Sequence, residues 1–491
     1  MSLSKHNIRI KGSQAIELIA AYVDNDNRSS DGDKSSSSED EMIESENDFD
    51  KNELSPESSH TITRSDNQQI SFENDIVETH NNFPDRLSEP ESIGSSTEEE
   101  SDIENYFYTG RNGLEMWLKS PAGNVGRQAS QNVMKKAPGP TAYAIQRAND
   151  VQQTLELFLT PSISATILKM SNKEGSRVLK DEFVPITADE LNAFIGLLYL
   201  AGVYRSSGES TEELWHPRDG RKIFRATMSL KRFKLMSQIL RFDDKTTRSA
   251  RRRKDKLAPV RDMLDSWIAT FPKCFVPGEN VTVDEQLVPF RGRCAFRMFM
   301  KSKPAKYGLK FWVLCDSSTA YVLNIQLYSG KQSSQPEKNQ GERVVRDMVS
   351  TIEGSGRNVT MDNFFTSVTL ARQLLSKKLS IVGTMRKNKP EIPLEFLASN
   401  TRLVHSSVFG HQQQMTLVSY VPKRNRSVIL LSSMHKDAEV AQTPEAKPEI
   451  IMHYNRTKGG VDTMDQMART YSTKRMTRRF EFTSTVLLFS M

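Results

Sequence analysis

The sequence has few cysteines and no long apolar run. Cys274, Cys294 and Cys315 lie about twenty residues apart without a CxxC pair, which excludes a disulfide framework and gives no zinc signature. The longest apolar stretch, at 193–204, is about half of a membrane span. The first residues also lack a signal-peptide pattern. These absences predict a soluble intracellular protein in a reducing compartment, with no membrane contact.

The charge is spread unevenly along the sequence. Residues 24–104 hold 25 acidic and 5 basic residues, whereas residues 105–491 carry a net charge of +24. The acidic segment is rich in Ser and Asn and poor in aromatics, so it cannot bury enough apolar surface to offset its chain entropy. We therefore predict a disordered acidic tail over 1–104. The basic remainder favours nucleic acid or an anionic membrane surface as a partner, although excess lysine also serves solubility.

Residues 105–278 have the pattern of short amphipathic helices. Thr187 and Glu190 form a predicted capping box ahead of an apolar face. A second helix is predicted over 229–242. The basic connector at 246–259 is compatible with phosphate contact, with a nuclear address or with a solvated linker.

From residue 279 the pattern changes to β-strands. Three β-branched and aromatic runs, "NVTVDEQLVPF", "GLKFWVLCD" and "AYVLNIQLYSG", predict a three-strand meander. Two further strands, "NVTM" and "LSIVGTMR", flank a helical stretch, so residues 279–389 predict a mixed α/β sheet. Residues 390–450 interrupt this pattern as an inserted subdomain would, and helical texture resumes over 451–491.

Two aspartates stand where strands are predicted, although Asp is depleted in strands. Asp284 lies within "VTVDEQLVPF", and Asp362 directly follows "NVTM". Asp316 stands where two strands must turn and is predicted to be a hairpin residue. An Asp at the end of a strand is also commonly a turn former or a helix cap, so a structural role stays open for Asp362.

A second acidic pair follows two glycines near the end of the sequence. Asp462 and Asp465 are three apart and share one helix face. Gly459 and Gly460 are predicted to let the chain turn tightly into that helix, whose first turn delivers Asp462. The alternative is a solvated helix face among basic side chains.

Carboxylates on one strand, at a later strand's end and on a later helix can converge on one site. Such carboxylates repel one another unless cations compensate, so the cluster implies a bound divalent metal. Mg²⁺ prefers a few carboxylates together with waters and phosphates, and two ions roughly 4 Å apart can activate water and stabilise a leaving oxygen. The basic segments on both sides fit a polyanionic substrate, which favours metal-dependent cleavage of nucleic acid.

Three long blocks carry these carboxylates, and they resemble the catalytic blocks of the PiggyBac transposase family. The blocks are "VTVDEQLVPFRGRCAFRMFMKSKPAKYGLKFWVLCDSSTAYVLN", "NVTMDNFFTSVTLARQLL…LSIVGTMRKNKPEIP" and "YNRTKGGVDTMDQMARTYSTKRMTRRF". Upstream, "ELWHPRDGRKIFRATMSLKRFKLMSQILRFDD" resembles the family's DNA-binding and dimerisation region. The resemblance runs from about residue 105 to the end of the sequence.

The resemblance implies a retroviral-integrase-like (RNase H-like) core in two parts, 279–389 and 451–491, with an insertion at 390–450. The helical region 105–278 would then bind DNA and dimerise. The implied activity is cut-and-paste transposition of double-stranded DNA through hairpinned ends at TTAA targets, by a nuclear homodimer. It would depend on a DDE/DDD triad and two Mg²⁺ or Mn²⁺ ions, with no zinc in this chain.

By motif, Asp284, Asp362 and Asp462 match the metal ligands of the family, and Asp465 matches an additional acidic residue near the site. Arg386 and Lys389 match basic positions implicated in DNA contact, and Lys303, Lys306 and Arg475 lie in matching basic motifs of the same predicted DNA-binding set. Each of these five residues is equally compatible with a plain surface charge.

Family members continue beyond "VLLFSM" with further core helices and a Cys/His-rich zinc domain, and the family's Arg-Trp is Arg479-Phe480 here. The expectation is a transposase-derived protein that retains the triad and whose activity is in doubt. The competing class is a domesticated, non-catalytic DNA-binding or chromatin-associated protein. A third class, an interaction protein acting through the acidic tail, has compositional support alone.

Overall fold

The fold joins a set of helices to one large mixed sheet. The computed structural model describes residues 106–121, 133–134, 136–301, 303–330, 337–475 and 479–481. The predicted acidic tail lies outside these ranges. The α-helices of the described residues are α1 (Ala142–Ile145), α2 (Val151–Glu156), α3 (Pro161–Leu179), α4 (Ala188–Val203), α5 (Thr211–Leu214), α6 (Lys222–Thr227), α7 (Leu230–Ile239), α8 (Arg248–Arg252), α9 (Arg261–Ile268), α10 (Phe271–Cys274), α11 (Gln340–Val349), α12 (Val368–Ser376), α13 (Glu449–Thr457) and α14 (Gly460–Thr470).

The predicted start of α4 is confirmed. The Thr187 hydroxyl accepts a hydrogen bond from the Glu190 backbone N–H, and the Glu190 carboxylate accepts one from the Thr187 backbone N–H at 3.2 Å. These bonds satisfy N–H groups that have no partner within the helix. The helix then buries Phe194 and its apolar neighbours in a core shared with Phe233 of α7, the helix predicted over 229–242.

The basic connector is partly fixed by ion pairs. Its central residues form α8, where Arg248 and Arg251 both pair with the buried carboxylate of Asp243. Arg248 also pairs with Glu481 at 2.8 Å, which ties the C-terminal segment to the helical region. Two of the basic side chains are therefore committed to internal contacts and are not freely solvated.

Eleven strands of the described residues form one sheet, and two others pair separately. The strands are β1 (Phe107–Thr109), β2 (Met116–Leu118), β3 (Gly139–Pro140), β4 (Phe275–Val276), β5 (Asn280–Pro289), β6 (Met298–Phe299), β7 (Tyr307–Asp316), β8 (Val322–Leu327), β9 (Asn358–Met361), β10 (Ser380–Thr384), β11 (Ser407–Gln412), β12 (Met415–Lys423) and β13 (Arg426–Ser432). The order in the large sheet is β1-β2-β11-β12-β13-β10-β9-β5-β7-β6, with β8 also paired to β7, and β3 pairs with β4.

The predicted mixed sheet is confirmed. Strands β5, β7 and β8 form the antiparallel meander, and Asp316 accepts hydrogen bonds from Ser318 and Thr319 in the turn that ends β7, as a hairpin residue does. Strand β9 is parallel to β5, and β10 is parallel to β9 across the connecting helix α12. The parallel pairing places the carboxyl end of β9 beside the middle of β5.

Two segments join the sheet in ways that the sequence did not indicate. Residues 107–118, assigned above to the helical region, form β1 and β2 at the sheet's outer end, where Leu118 pairs with His411. Trp117 explains this placement because it is fully buried against Gly410 and Phe396. Strands β11 to β13, within the predicted insertion 390–450, extend the sheet through antiparallel pairing of β13 with β10. The domain boundaries themselves stay predictions.

The two faces of the sheet pack against different helices. One face, with Phe311 and Val313, shares its core with α3, α4, α7 and the apolar side of α14. The other face, with Val283 and Trp312, packs against α11 and α12. No helix of the described residues is long and apolar enough to cross a membrane.

Candidate metal and nucleic-acid site

Asp284 and Asp362 stand at the same level of two neighbouring parallel strands. Val283 of β5 pairs with Met361, the last residue of β9, and each aspartate is the next residue of the chain. Asp362 also begins a turn, because its carboxylate accepts a hydrogen bond from the Phe364 N–H at 2.9 Å. The register thus brings two of the predicted ligands together.

A third carboxylate, which the sequence analysis did not single out, completes the cluster. Oxygen atoms of Asp284, Glu285 and Asp362 all lie within 4.8 Å of one another. Hard carboxylate oxygens without histidine or cysteine are the donors that Mg²⁺ and Mn²⁺ prefer. The group therefore fits the divalent metal that the sequence predicted.

Helix α14 is anchored on the same two strands. The Thr282 hydroxyl donates to the Thr457 carbonyl at 2.6 Å, and the hydroxyls of Thr360 and Thr457 are 2.7 Å apart. Thr282 and Thr360 each stand two residues before a site aspartate, and Thr457 ends α13. These contacts fix the junction from which α14 begins at Gly460, with Asp462 in its first turn.

The chain turns tightly between α13 and α14, as predicted, but this turn does not require the conformational freedom of glycine. Neither Gly459 nor Gly460 has a positive φ, and Gly459 has no atom within 4 Å of an added Cβ. Gly460, in contrast, is required by close packing, because its Cβ would meet Thr282 Oγ1 at 2.8 Å and Asp316 O at 3.2 Å. A glycine is needed here so that the helix can approach the sheet.

Asp462 and Asp465 have different surroundings. Asp462 is exposed and lies outside the group that meets within 4.8 Å, although its charge acts on Asp284 and on Lys303. The Asp465 carboxylate accepts a hydrogen bond from Gln286 Nε2 at 2.9 Å and pairs with Arg469 at 3.3 Å. Asp465 therefore holds α14 against β5, and Asp462 is the carboxylate left open to solvent.

Burial and mutual repulsion destabilise the charged forms of the two strand aspartates. Burial first, and then the charges of Glu285 and Asp362, raise the pKa of Asp284 well above its usual range. Burial and the charge of Glu285 raise the pKa of Asp362 to about 6, against a partial lowering by the Phe364 N–H and Arg386. A site with this much unfavourable negative charge attracts cations.

Two lysine ammonium groups lie beside the cluster. Lys303 Nζ is 3.5 Å from Glu285 Oε1 and donates to the Glu285 carbonyl at 3.3 Å. Burial alone would lower the pKa of Lys303, but Glu285, Asp284 and Asp462 raise it. Lys310 is 8 % exposed and sits 3.8 Å from the centre of the Trp312 ring, and burial lowers its pKa despite nearby Glu285 and Asp362.

The other basic residues predicted to contact DNA are distributed unevenly. Arg386 follows β10, and its Nε donates to Asn363 Oδ1 at 3.3 Å, one residue from Asp362. Lys389 lies on the same loop, which Arg111 holds by donating to the Lys389 carbonyl at 2.7 Å. Lys306 is exposed on the loop that carries Lys303.

Arg475 does not face the solvent. It is 9 % exposed, and its guanidinium donates to the carbonyl and the hydroxyl of Ser206 at 2.6 and 2.9 Å. Burial lowers its pKa. The structure gives Arg475 a packing role at the end of α4, and a contact with DNA would require it to leave these partners.

Comparison with known proteins identifies the family. The family model described as Transposase IS4 matches residues 150–491. A cryo-EM structure of the piggyBac transposase synaptic complex with hairpin DNA superposes with a TM-score of 0.68 at 37% identity, covering 72% of this chain and 76% of that one. The chain belongs to the PiggyBac transposase family. The predicted family is thereby confirmed, and the PiggyBac neighbour supports the α/β architecture with its large mixed sheet.

Human PiggyBac relatives are more distant. The chain is 26% identical over 340 residues to PiggyBac transposable element-derived protein 3, covering 64% of this chain and 55% of that protein. It is 23% identical to PiggyBac transposable element-derived protein 2, covering 65% of this chain and 56% of that protein. The chain thus spans about half the length of these curated relatives.

Proposed function

We propose that this PiggyBac-type chain is a metal-dependent DNA transposase that cleaves and transfers strands at TTAA sites. The observation that carries the proposal is the meeting of Asp284, within β5, and Asp362, directly after the parallel strand β9, beside the helix that delivers Asp462. These three residues would form the DDE/DDD triad. The strand order β8-β7-β5-β9-β10, antiparallel and then parallel, supports an RNase H-like core.

The residues of this site would hold Mg²⁺ or Mn²⁺ through carboxylate oxygens. Asp284, Asp362 and Asp462 are the proposed ligands, and Glu285 lies close enough to Asp284 and Asp362 to take part. A pair of bound ions would activate a water or a hydroxyl nucleophile and stabilise the leaving oxygen of a phosphodiester. The protein's part is to keep the carboxylates together despite their repulsion, which the strand register and the Thr457 contacts accomplish.

The proposed substrate is double-stranded DNA. The piggyBac neighbour was solved with hairpin DNA. In this chain Arg386 is half-buried and its charge acts on Asp362, half-buried Lys389 lies on the same loop, and exposed Lys306 lies on the loop of Lys303. These cations would contact phosphates and position the strand. We also propose that the protein acts as a homodimer in the nucleus, because two transposon ends must be handled on chromosomal DNA.

Incubation with a hairpin-ended or nicked TTAA-flanked DNA in Mg²⁺ or Mn²⁺ tests the proposal. We expect cleavage by the wild type, loss of cleavage in Asp362→Asn, and full cleavage in Asp219→Asn, whose side chain is 81% exposed beside His216 and far from the site in sequence. Salt-sensitive DNA binding without metal-dependent cleavage would refute the proposed transposase activity and would support a domesticated DNA-binding protein.

A further inference from the structure

The Lys303 side chain occupies a cation position within the acidic cluster. Its ammonium lies 3.5 Å from one oxygen of Glu285 and is close enough to Asp284 and Asp462 for their charges to act on it. Glu285 and Asp284 are also two of the three residues that meet within 4.8 Å. One ammonium group therefore compensates the same negative charges that a divalent ion would.

Lys303 belongs to the loop between β6 and β7 and not to a strand of the sheet. Its N–H donates to Met300 O at 3.3 Å, and its carbonyl accepts from Lys306 N at 3.0 Å. Its side chain is 27% exposed. Lys310, in contrast, belongs to β7 itself and is buried against the Trp312 ring. Of these two cations, Lys303 is therefore the one whose side chain can leave the carboxylates without a change in a sheet strand.

We propose that Lys303 is an exchangeable counter-ion, which stabilises the metal-free site and is displaced when a divalent cation binds Glu285 and Asp284. A divalent ion bound to Glu285 and Asp284 would repel the nearby ammonium group. Lys303 therefore leaves Glu285 when the metal binds. Its loop places it at the margin of the site, where the freed ammonium then binds a phosphate of DNA. Metal loading and DNA binding are thereby coupled through one side chain.

This inference rests on the proposed metal site, and a titration without DNA tests it independently of cleavage. Mn²⁺ binding to the full chain is measured by electron paramagnetic resonance for the wild type, Lys303→Met and Lys306→Met. Methionine keeps the length of the lysine side chain and removes its charge. Lys306→Met is the matched control because it removes one charge from the same loop at an exposed position.

Lys303→Met is expected to bind Mn²⁺ about three- to tenfold more tightly than the wild type, the range that follows from loss of one partly exposed ion pair. Lys306→Met is expected to stay within about twofold of the wild type. Equal tightening in both variants would show a general charge effect and overturn the inference. Unchanged or weaker binding in Lys303→Met, or no binding by any of the three proteins, would also overturn it.

A second measurement follows the ammonium after its release. The affinity for a random-sequence duplex is compared between the wild type and Lys303→Met, with and without Mn²⁺. We expect the substitution to weaken DNA binding by less than about twofold without metal and by about fivefold with saturating metal. A loss that is equal in both conditions would mean that Lys303 contacts DNA without exchange and would overturn the coupling.

Discussion

Replacing each glycine of the Gly459-Gly460 pair separately tests how α14 is placed on the sheet. An alanine Cβ at Gly460 would lie 2.8 Å from Thr282 Oγ1 and 3.2 Å from Asp316 O. The hydroxyl it would strike already donates to the Thr457 carbonyl at 2.6 Å. The new methyl group must therefore either break that bond or push α14 away from β5.

The expected cost follows from packing against a rigid neighbour. Overpacking of this kind costs about 1–3 kcal/mol, and the better helix propensity of alanine returns up to about 1 kcal/mol. We expect Gly460→Ala to lower the free energy of unfolding by about 1–2 kcal/mol. Gly459→Ala meets nothing within 4 Å at a φ of −81°, so we expect it to stay within about 0.5 kcal/mol of the wild type.

Urea denaturation followed by tryptophan fluorescence gives the two free energies, because buried Trp312 reports on the sheet. A Mn²⁺ titration of the same variants shows whether the displaced helix also weakens the metal site, as we expect for Gly460→Ala alone. Equal stability of the two variants would refute the close-approach argument. It would mean that close packing does not explain the glycine at position 460.

Three further perturbations test the charged and hydrogen-bonded groups. Burial alone would raise the pKa of Glu174, but hydrogen bonds from Arg177 and Lys245 and the charge of Arg241 hold it at about 2. The contribution of Glu174 to stability is therefore complete above pH 4.5 and disappears toward pH 2. Glu174→Gln should cost about 2–3 kcal/mol at pH 7 and little near pH 2 in urea denaturation. Since the pKa of Asp362 is raised to about 6, Asp362→Asn should stabilise the metal-free protein by about 1–2 kcal/mol at pH 7.5, should not stabilise it at pH 4, and should abolish Mn²⁺ binding. Asp465→Ala leaves the Gln286 amide without its acceptor and should cost about 1–2 kcal/mol, whereas Asp465→Asn keeps an acceptor oxygen and should cost under about 0.5 kcal/mol in the same assay. The assigned roles of Glu174 and Asp362 would be contradicted if each substitution changed the free energy of unfolding equally at its two pH values. The assigned role of Asp465 would be contradicted if its alanine and asparagine variants were equally stable.

The convergence of Asp284 and Asp362 was predictable from the sequence in outline. Both follow or interrupt β-branched runs, and the two strands that flank a helical stretch indicated a mixed sheet. The structure adds the parallel pairing of β5 with β9 and its register, in which Val283 pairs with Met361. That one-residue alignment puts the two aspartates on the same face, and no local pattern specifies it.

Glu285 could not be predicted as a partner of Asp284 because adjacent strand residues face opposite sides of a sheet. Asp284 pairs with Val313 on the α14 side, and Glu285 pairs with Trp312 on the α12 side. The two carboxylates nevertheless meet because β9 ends at Met361 and leaves β5 unpaired on that side beyond Val283. A strand that stops early opens a gap through which side chains of both faces reach one site.

Arg475 shows that a motif match does not reveal whether a side chain is buried. Its motif indicated DNA contact, but whether an arginine is buried depends on distant residues, here Ser206 at the end of α4. The sequence interval between these two residues is too long for any pattern to connect them. The same holds for Lys303, whose partner Glu285 lies across a strand and a loop.

The spacing of Asp462 and Asp465 acquires a physical explanation from these contacts. A helix that carries a ligand over an open site must be held by something other than that ligand. One turn further along, Asp465 binds Gln286 of β5, the strand that also carries Asp284. Residues three apart share a helix face, so fixing Asp465 on β5 orients Asp462 toward the same edge and leaves its carboxylate open to solvent. If Asp465→Asn abolished cleavage while stability and Mn²⁺ affinity stayed at wild-type values, Asp465 would act on the substrate and the anchoring role would be insufficient.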